Sequence, residues 1–153
     1  MARVHAQAEK LIEAQPTAVY EVLADYATHH PRIMPPDHFS DLEVESGGVG
    51  DGTVFHITAR VAGKRQRLHM RVAEPDPGRV LTETNLDTGV VTEFQVSGNG
   101  SDRTLIRMSS EWEARGLKGW MDRLLAPRLM NRLFAEQLEQ LGEYMRSKEV
   151  RTP

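Results

Sequence analysis

The sequence predicts an α+β fold: a curved antiparallel sheet of about seven strands around one long C-terminal helix, with two short helices after the first strand. Three observations predict it. From Phe39 to Glu113, short runs of alternating apolar and polar residues are divided by turns rich in glycine, proline or asparagine. From Arg128 to Ser147 the residues Met130, Leu133, Phe134, Leu138, Leu141, Tyr144 and Met145 recur at helical spacing, with Arg132, Glu136, Glu139, Glu143 and Arg146 opposite. Hairpin-linked strands with one apolar face each favour antiparallel pairing with the other face in water.

The first strand spans Arg3 to Ile12, with Val4, Ala6, Ala8, Lys10 and Ile12 on one side. Pro16 stands just before or inside the first turn of a short helix, with Thr17 as a candidate cap. Val19, Tyr20, Val22, Leu23 and Tyr26 give that helix its core side, and it ends near Asp25. The stretch Thr28 to Pro36 holds three prolines, which predicts a short second turn and then a loop. Strands follow over Phe39 to Glu45, Thr53 to Val61, Lys64 to Glu74, Arg79 to Asn85, Gly89 to Ser97 and Arg103 to Glu113. In the last, Thr104, Ile106, Met108, Ser110 and Trp112 share one face. Pro127 is expected to kink or break the final helical segment, leaving Leu117 to Ala126 as a separate lead-in. The tail from Lys148 is expected to fray.

Composition narrows the function. A chain of 153 residues, 27% charged and 39% hydrophobic, suits a single domain over 1–153 with its ordered core at about 3–147. The net charge is −3 and the basic residues are dispersed, which argues against nucleic acid as a partner. Cysteine is absent, so disulfides and thiolate metal sites are excluded. No signal-like run and no membrane-length apolar run stand in the sequence, so a cytoplasmic protein with no integral membrane segment is expected. Asn99-Gly100-Ser101 reads as a turn rather than a glycosylation acceptor.

Several motifs resemble one family. They are Ile12-Glu13-Ala14-Gln15-Pro16 leading into Val19-Tyr20-Glu21-Val22-Leu23-Ala24-Asp25, and the turn Gly48-Val49-Gly50-Asp51-Gly52-Thr53. Glu74-Pro75, Pro77-Gly78-Arg79 and Gly116-Leu117-Lys118-Gly119 complete the set. Over residues 3 to 147 or so the chain resembles the START-related helix-grip (SRPBCC) superfamily, in its polyketide cyclase/dehydrase-like branch. The matching residues are turn, cap and packing residues, so the resemblance bears on fold more than on activity. It implies a helix-grip fold and a cavity between sheet and long helix that takes sterols, lipids or polyketides, where some members catalyse cyclisation.

The inner faces agree with a cavity. Leu68, Met70, Val72, Val90, Thr92, Phe94, Val96, Ile106, Met108, Ser110 and Trp112 would line it, with Thr82 adding a hydroxyl. Large apolar groups beside small polar ones fill space less completely than a leucine core, and methionine adapts to irregular shapes. Trp112 and Gln137 carry a donor each into apolar surroundings and are candidate ligand contacts. Gln137 lies in the middle of the helix's apolar stripe, where its amide is expected to meet pocket water or ligand. The candidate ligand-binding set is Met34, Leu68, Met70, Phe94, Met108, Ser110, Trp112, Phe134 and Gln137. Met34 and Ile33 are placed at the cavity mouth as a candidate lid.

No catalytic residue is assigned. Lys10, His56, Arg60 and Glu111 turn inward or outward with a one-residue slip of strand phase. His29, His30 and His38, with Asp37, meet no ligand-spacing template, so the loop is expected to be solvated and neither metal nor cofactor is assigned. Arg65, Arg67, His69 and Arg71 alternate on a face expected to be the solvent side, paired with acids on neighbouring strands.

The first reading is binding of a hydrophobic or amphipathic small molecule (lipid, sterol or polyketide-like) between sheet and C-terminal helix. The alternative is a polyketide cyclase or aromatase using the same cavity, and the third is a protein-interaction module. A homodimer is compatible with the sequence.

Overall fold

The computed structural model describes residues 3–61, 63–113 and 126–151. The chain runs β1 (Arg3–Ile12), α1 (Pro16–Ala24), a 3-10 turn (His30–Ile33), β2 (Phe39–Ser46), β3 (Val54–Val61), β4 (Lys64–Asp76), β5 (Val80–Asn85), β6 (Val91–Gly98), β7 (Thr104–Glu113) and α2 (Pro127–Arg151). The strands form one curved antiparallel sheet in the order β1-β7-β6-β5-β4-β3-β2. Hairpins explain every neighbour except β1, which returns to pair with β7 from Arg3↔Glu113 to Ile12↔Thr104. Leu117 to Leu125 of the expected lead-in, and the Gly116 to Gly119 motif, lie outside the described residues.

Local chemistry sets the helix starts. Gln15, in an extended conformation, is the N-cap of α1 with no side-chain capping bond, and Pro16 opens the helix. Thr17 is therefore inside the first turn rather than capping it, because proline's fixed φ suits the first helical position. Pro127 does the same for α2, and the first helical bond runs from the Met130 N–H to the Ala126 carbonyl (3.0 Å).

The α2 stripe buries Leu133, Phe134, Gln137, Leu138, Leu141 and Met145. The helix packs chiefly along β1 and on the 3-10 turn. Burying each large apolar side chain contributes about 1.5–3 kcal/mol, so this stripe is a main anchor of the helix. It also covers the β1 edge of the sheet, which would otherwise present unpaired backbone groups. The other edge, β2, pairs irregularly with β3, with register shifts between Ser40 and Glu43 and between Val44 and Ser46. No helix among the described residues is long and apolar enough to cross a membrane.

Candidate functional site

Between the sheet and the N-terminal half of α2 lies a cavity of about 120 Å³. Phe39, Ala59, Val61, Gln66, Leu68, Met70, Asn85, Thr88, Val90 and Thr92 line it from the sheet and its hairpin, and Met130 and Leu133 from α2. The strands supply this wall because their inner positions alternate: Leu68, Met70 and Val72 on β4 face the helix, with His69 and Arg71 between them on the outer side. The wall is mainly apolar, with Gln66, Asn85 and Thr92 offering polar groups.

Leu68 and Met70 of the expected ligand set line this cavity. Phe94, Met108, Trp112 and Phe134 are buried in the continuous core beyond its lining. Ser110 is buried and its hydroxyl donates to the Val91 carbonyl (2.7 Å). Gln137 is buried too, and its amide nitrogen donates to the Met34 sulfur at 3.2 Å. The structure thus joins Met34 to Gln137. Ile33, expected as part of a lid, is wholly buried in the core.

Beside the cavity stands a polar cluster that the sequence reading missed. The Tyr26 hydroxyl donates to Glu83 Oε2 (2.6 Å), and His30 Nε2 approaches the same oxygen at 3.3 Å. Tyr26 and His30 are fully buried and Glu83 nearly so. The Tyr26 ring stacks on His30 (centroids 4.1 Å apart) and on Phe55 (4.8 Å). His30 Nδ1 lies 2.8 Å from the Leu23 carbonyl, which only accepts, so Nδ1 carries a hydrogen. Nε2 then faces the carboxylate without hydrogen-bond geometry. Burial first, and the Glu83 charge second, push the Tyr26 phenol well above its ordinary pKa, so it stays a donor.

Two expectations are corrected here. His30 is not in a solvated loop: proline at the start of the 3-10 turn folds it under α1, where a backbone carbonyl and stacked rings receive it. Thr82 does not face the cavity, since it pairs with the outward Glu93, whereas Glu83 pairs with the cavity-lining Thr92. Leu81 and Glu83 are the inward residues of β5.

The remaining candidates lie on outer or peripheral surfaces. Lys10 Nζ is 2.8 Å from Glu139 on α2, Glu111 pairs with Arg3, and Arg60 is exposed. His29 Nδ1 is 2.7 Å from the Tyr144 hydroxyl, and His38 Nε2 is 3.0 Å from Glu136. Arg67 lies on the outer face and pairs with Glu43 (2.9 Å).

A second tyrosine–glutamate pair braces the glycine turn. The Tyr20 hydroxyl donates to Glu74 Oε2 (2.7 Å), and Glu74 Oε1 accepts from the Asp51 backbone N–H (2.7 Å). Gly50 has φ +69°, and a Cβ there would run into Glu74 Oε1, so only glycine lets the turn close on that carboxylate.

The family described as polyketide cyclase/dehydrase and lipid transport matches residues 3–146. No curated protein sequence matches the chain. Among solved structures, the KanY protein is 26% identical at a TM-score of 0.81, covering 95% of this chain and 99% of that one. The Zhui aromatase/cyclase from Streptomyces sp. R1128 is 21% identical at a TM-score of 0.78, covering 99% and 98%. Norcoclaurine synthase from Thalictrum flavum is 19% identical at a TM-score of 0.71, covering 97% of each chain.

Proposed function

This chain belongs to the polyketide cyclase/dehydrase and lipid transport family, and on that premise we propose that it binds a hydrophobic or amphipathic small molecule between its sheet and α2. The observation that carries the reading is the apolar cavity walled by Ala59, Val61, Leu68, Met70, Met130 and Leu133. Transfer of apolar ligand surface into such a wall is favourable, and a few polar groups orient what enters. Gln66, Asn85 and Thr92 are those groups. At about 120 Å³ the cavity takes a ring-sized fragment. A drug-sized ligand needs roughly 300–1,000 Å³, so a lipid or polyketide-like molecule requires Met70 and Met130 to shift, which unbranched thioethers do at low cost. Native mass spectrometry of freshly purified protein tests the proposal: an apolar molecule retained one per chain is expected. Only apo mass under conditions that preserve a known carrier's ligand counts against it.

A second reading, catalysis of the aromatase or cyclase kind, has one specific observation in its favour. Two buried proton-exchanging side chains, Glu83 and His30, stand 3.3 Å apart, and Glu83 is the cross-strand partner of cavity-lining Thr92. Enolisation and dehydration of a polyketide-like chain both need a group that moves a proton within an apolar site. Turnover of a polyketide surrogate that is lost in Glu83→Gln, with binding retained, separates this reading from simple binding.

A further inference from the structure

On the outer face of the sheet, away from the cavity, we infer a divalent transition-metal site formed by Glu45 on β2, His56 on β3 and His69 on β4. Sheet register brings them together: His56 and His69 are direct cross-strand partners. Glu45 lies within reach because β2 lies alongside β3. Glu45 Oε1 is 3.1 Å from His56 Nε2 and Glu45 Oε2 is 3.6 Å from His69 Nε2. One ligand atom from each residue falls within 4.8 Å of the others. A tetrahedral zinc ion with bonds of about 2.0–2.1 Å sets its ligand atoms about 3.4 Å apart, so the gaps bracket what the ion requires.

A second observation points the same way. His69 Nε2 is shielded from solvent and has no hydrogen-bond partner among the described residues, although its ring lies on the sheet's outer side. It is a ring nitrogen aimed into the cluster, facing Glu45 Oε2 at 3.6 Å. The two imidazoles stack 4.2 Å apart at 7°, and rotation about their soft χ2 torsions opens them towards one ion. Arg67, two residues from His69, is occupied by Glu43, Thr58 and the Asp41 carbonyl. Two imidazoles and one carboxylate suit Zn²⁺, and three protein ligands leave a fourth position for water or a further ligand. An ion here also fastens the irregular edge strand β2 to β3 and β4.

Calorimetric titration of tag-free protein with ZnCl₂ tests the site, with Glu45→Gln, His56→Ala and His69→Ala as variants and His5→Ala/His38→Ala as the control. One ion per chain is expected in the wild type and in the control. Each ligand variant should lose at least about tenfold in affinity, the loss that even displaced supporting groups cause. Zn²⁺ should raise the melting temperature of the wild type and leave that of His69→Ala unmoved, because only the native site is linked to binding. Absence of stoichiometric binding, equal affinity in the ligand variants, or loss in the control instead would each overturn the assignment.

Discussion

The Tyr26 hydroxyl reaches the Glu83 carboxylate across 2.6 Å in the sealed space under α1. That oxygen also faces His30, but among the described residues Tyr26 is the one donor that reaches it with hydrogen-bond geometry. Replacing Tyr26 by Phe removes the donor and leaves the acceptor buried. A cost of about 1–3 kcal/mol follows, towards the upper end because the acceptor carries charge. Chemical denaturation of Tyr26→Phe measures it directly, and a loss of a few tenths would show that Glu83 is satisfied elsewhere.

Tyr26 also gives the fold an alkaline limit. Its folded phenol is held well above the ordinary value of 10.0 by burial and then by Glu83. Below about pH 10 folded and unfolded chains both keep this proton, and the contribution to stability is complete. Above it the unfolded chain releases the proton and the folded chain retains it, so stability falls by about 1.4 kcal/mol per pH unit for this group. Tyr20 is shifted in the same direction, by burial and then by its bond to Glu74. Stability measured from pH 9 to 11 should decline less steeply in Tyr26→Phe than in the wild type. Parallel slopes would remove Tyr26 as the cause.

Gln137 donates to the Met34 sulfur, a weak acceptor. Gln137→Leu exchanges that bond for apolar burial on a helix face already apolar. The melting temperature is expected to stay level or rise. A fall of several degrees would make the Gln137–Met34 contact a strut between α2 and the 3-10 turn.

Gly50 meets two constraints at once, a left-handed backbone and the close approach of Glu74. Gly50→Ala should destabilise the protein by more than about 1 kcal/mol, since alanine relieves neither. Gly63, also left-handed but with open space around it, serves as the comparison. If Gly63→Ala costs as much as Gly50→Ala, backbone strain alone accounts for both.

Much of the fold was legible because it rests on short-range periodicity. Alternation placed Thr104, Ile106, Met108, Ser110 and Trp112 together on β7, and all of them are buried. Helical spacing likewise located the α2 stripe, down to its one buried amide, Gln137. The polar cluster was less legible. In β5 a signal existed: Leu81 turned inward carries Glu83 with it, and phasing that strand from Thr82 reversed it. His30 offered no such signal, since adjacent histidines in a proline-rich loop have no periodicity, and its burial depends on Tyr26 and the Leu23 carbonyl. The Glu45–His56–His69 group spans three strands, so it depends on register between them and matches no spacing template.

The cavity is the centre of the account, and blocking it is the most direct test. Leu68 lines it from β4 and is only partly buried, so Leu68→Trp can project a larger side chain into the space with little strain on the sheet. The measurement is a fluorescence titration of wild type and Leu68→Trp with one apolar dye, with circular dichroism confirming that both are folded. The account predicts saturable one-site binding by the wild type and its loss in Leu68→Trp. Equal binding by two folded proteins, or no saturable binding by the wild type, would contradict it.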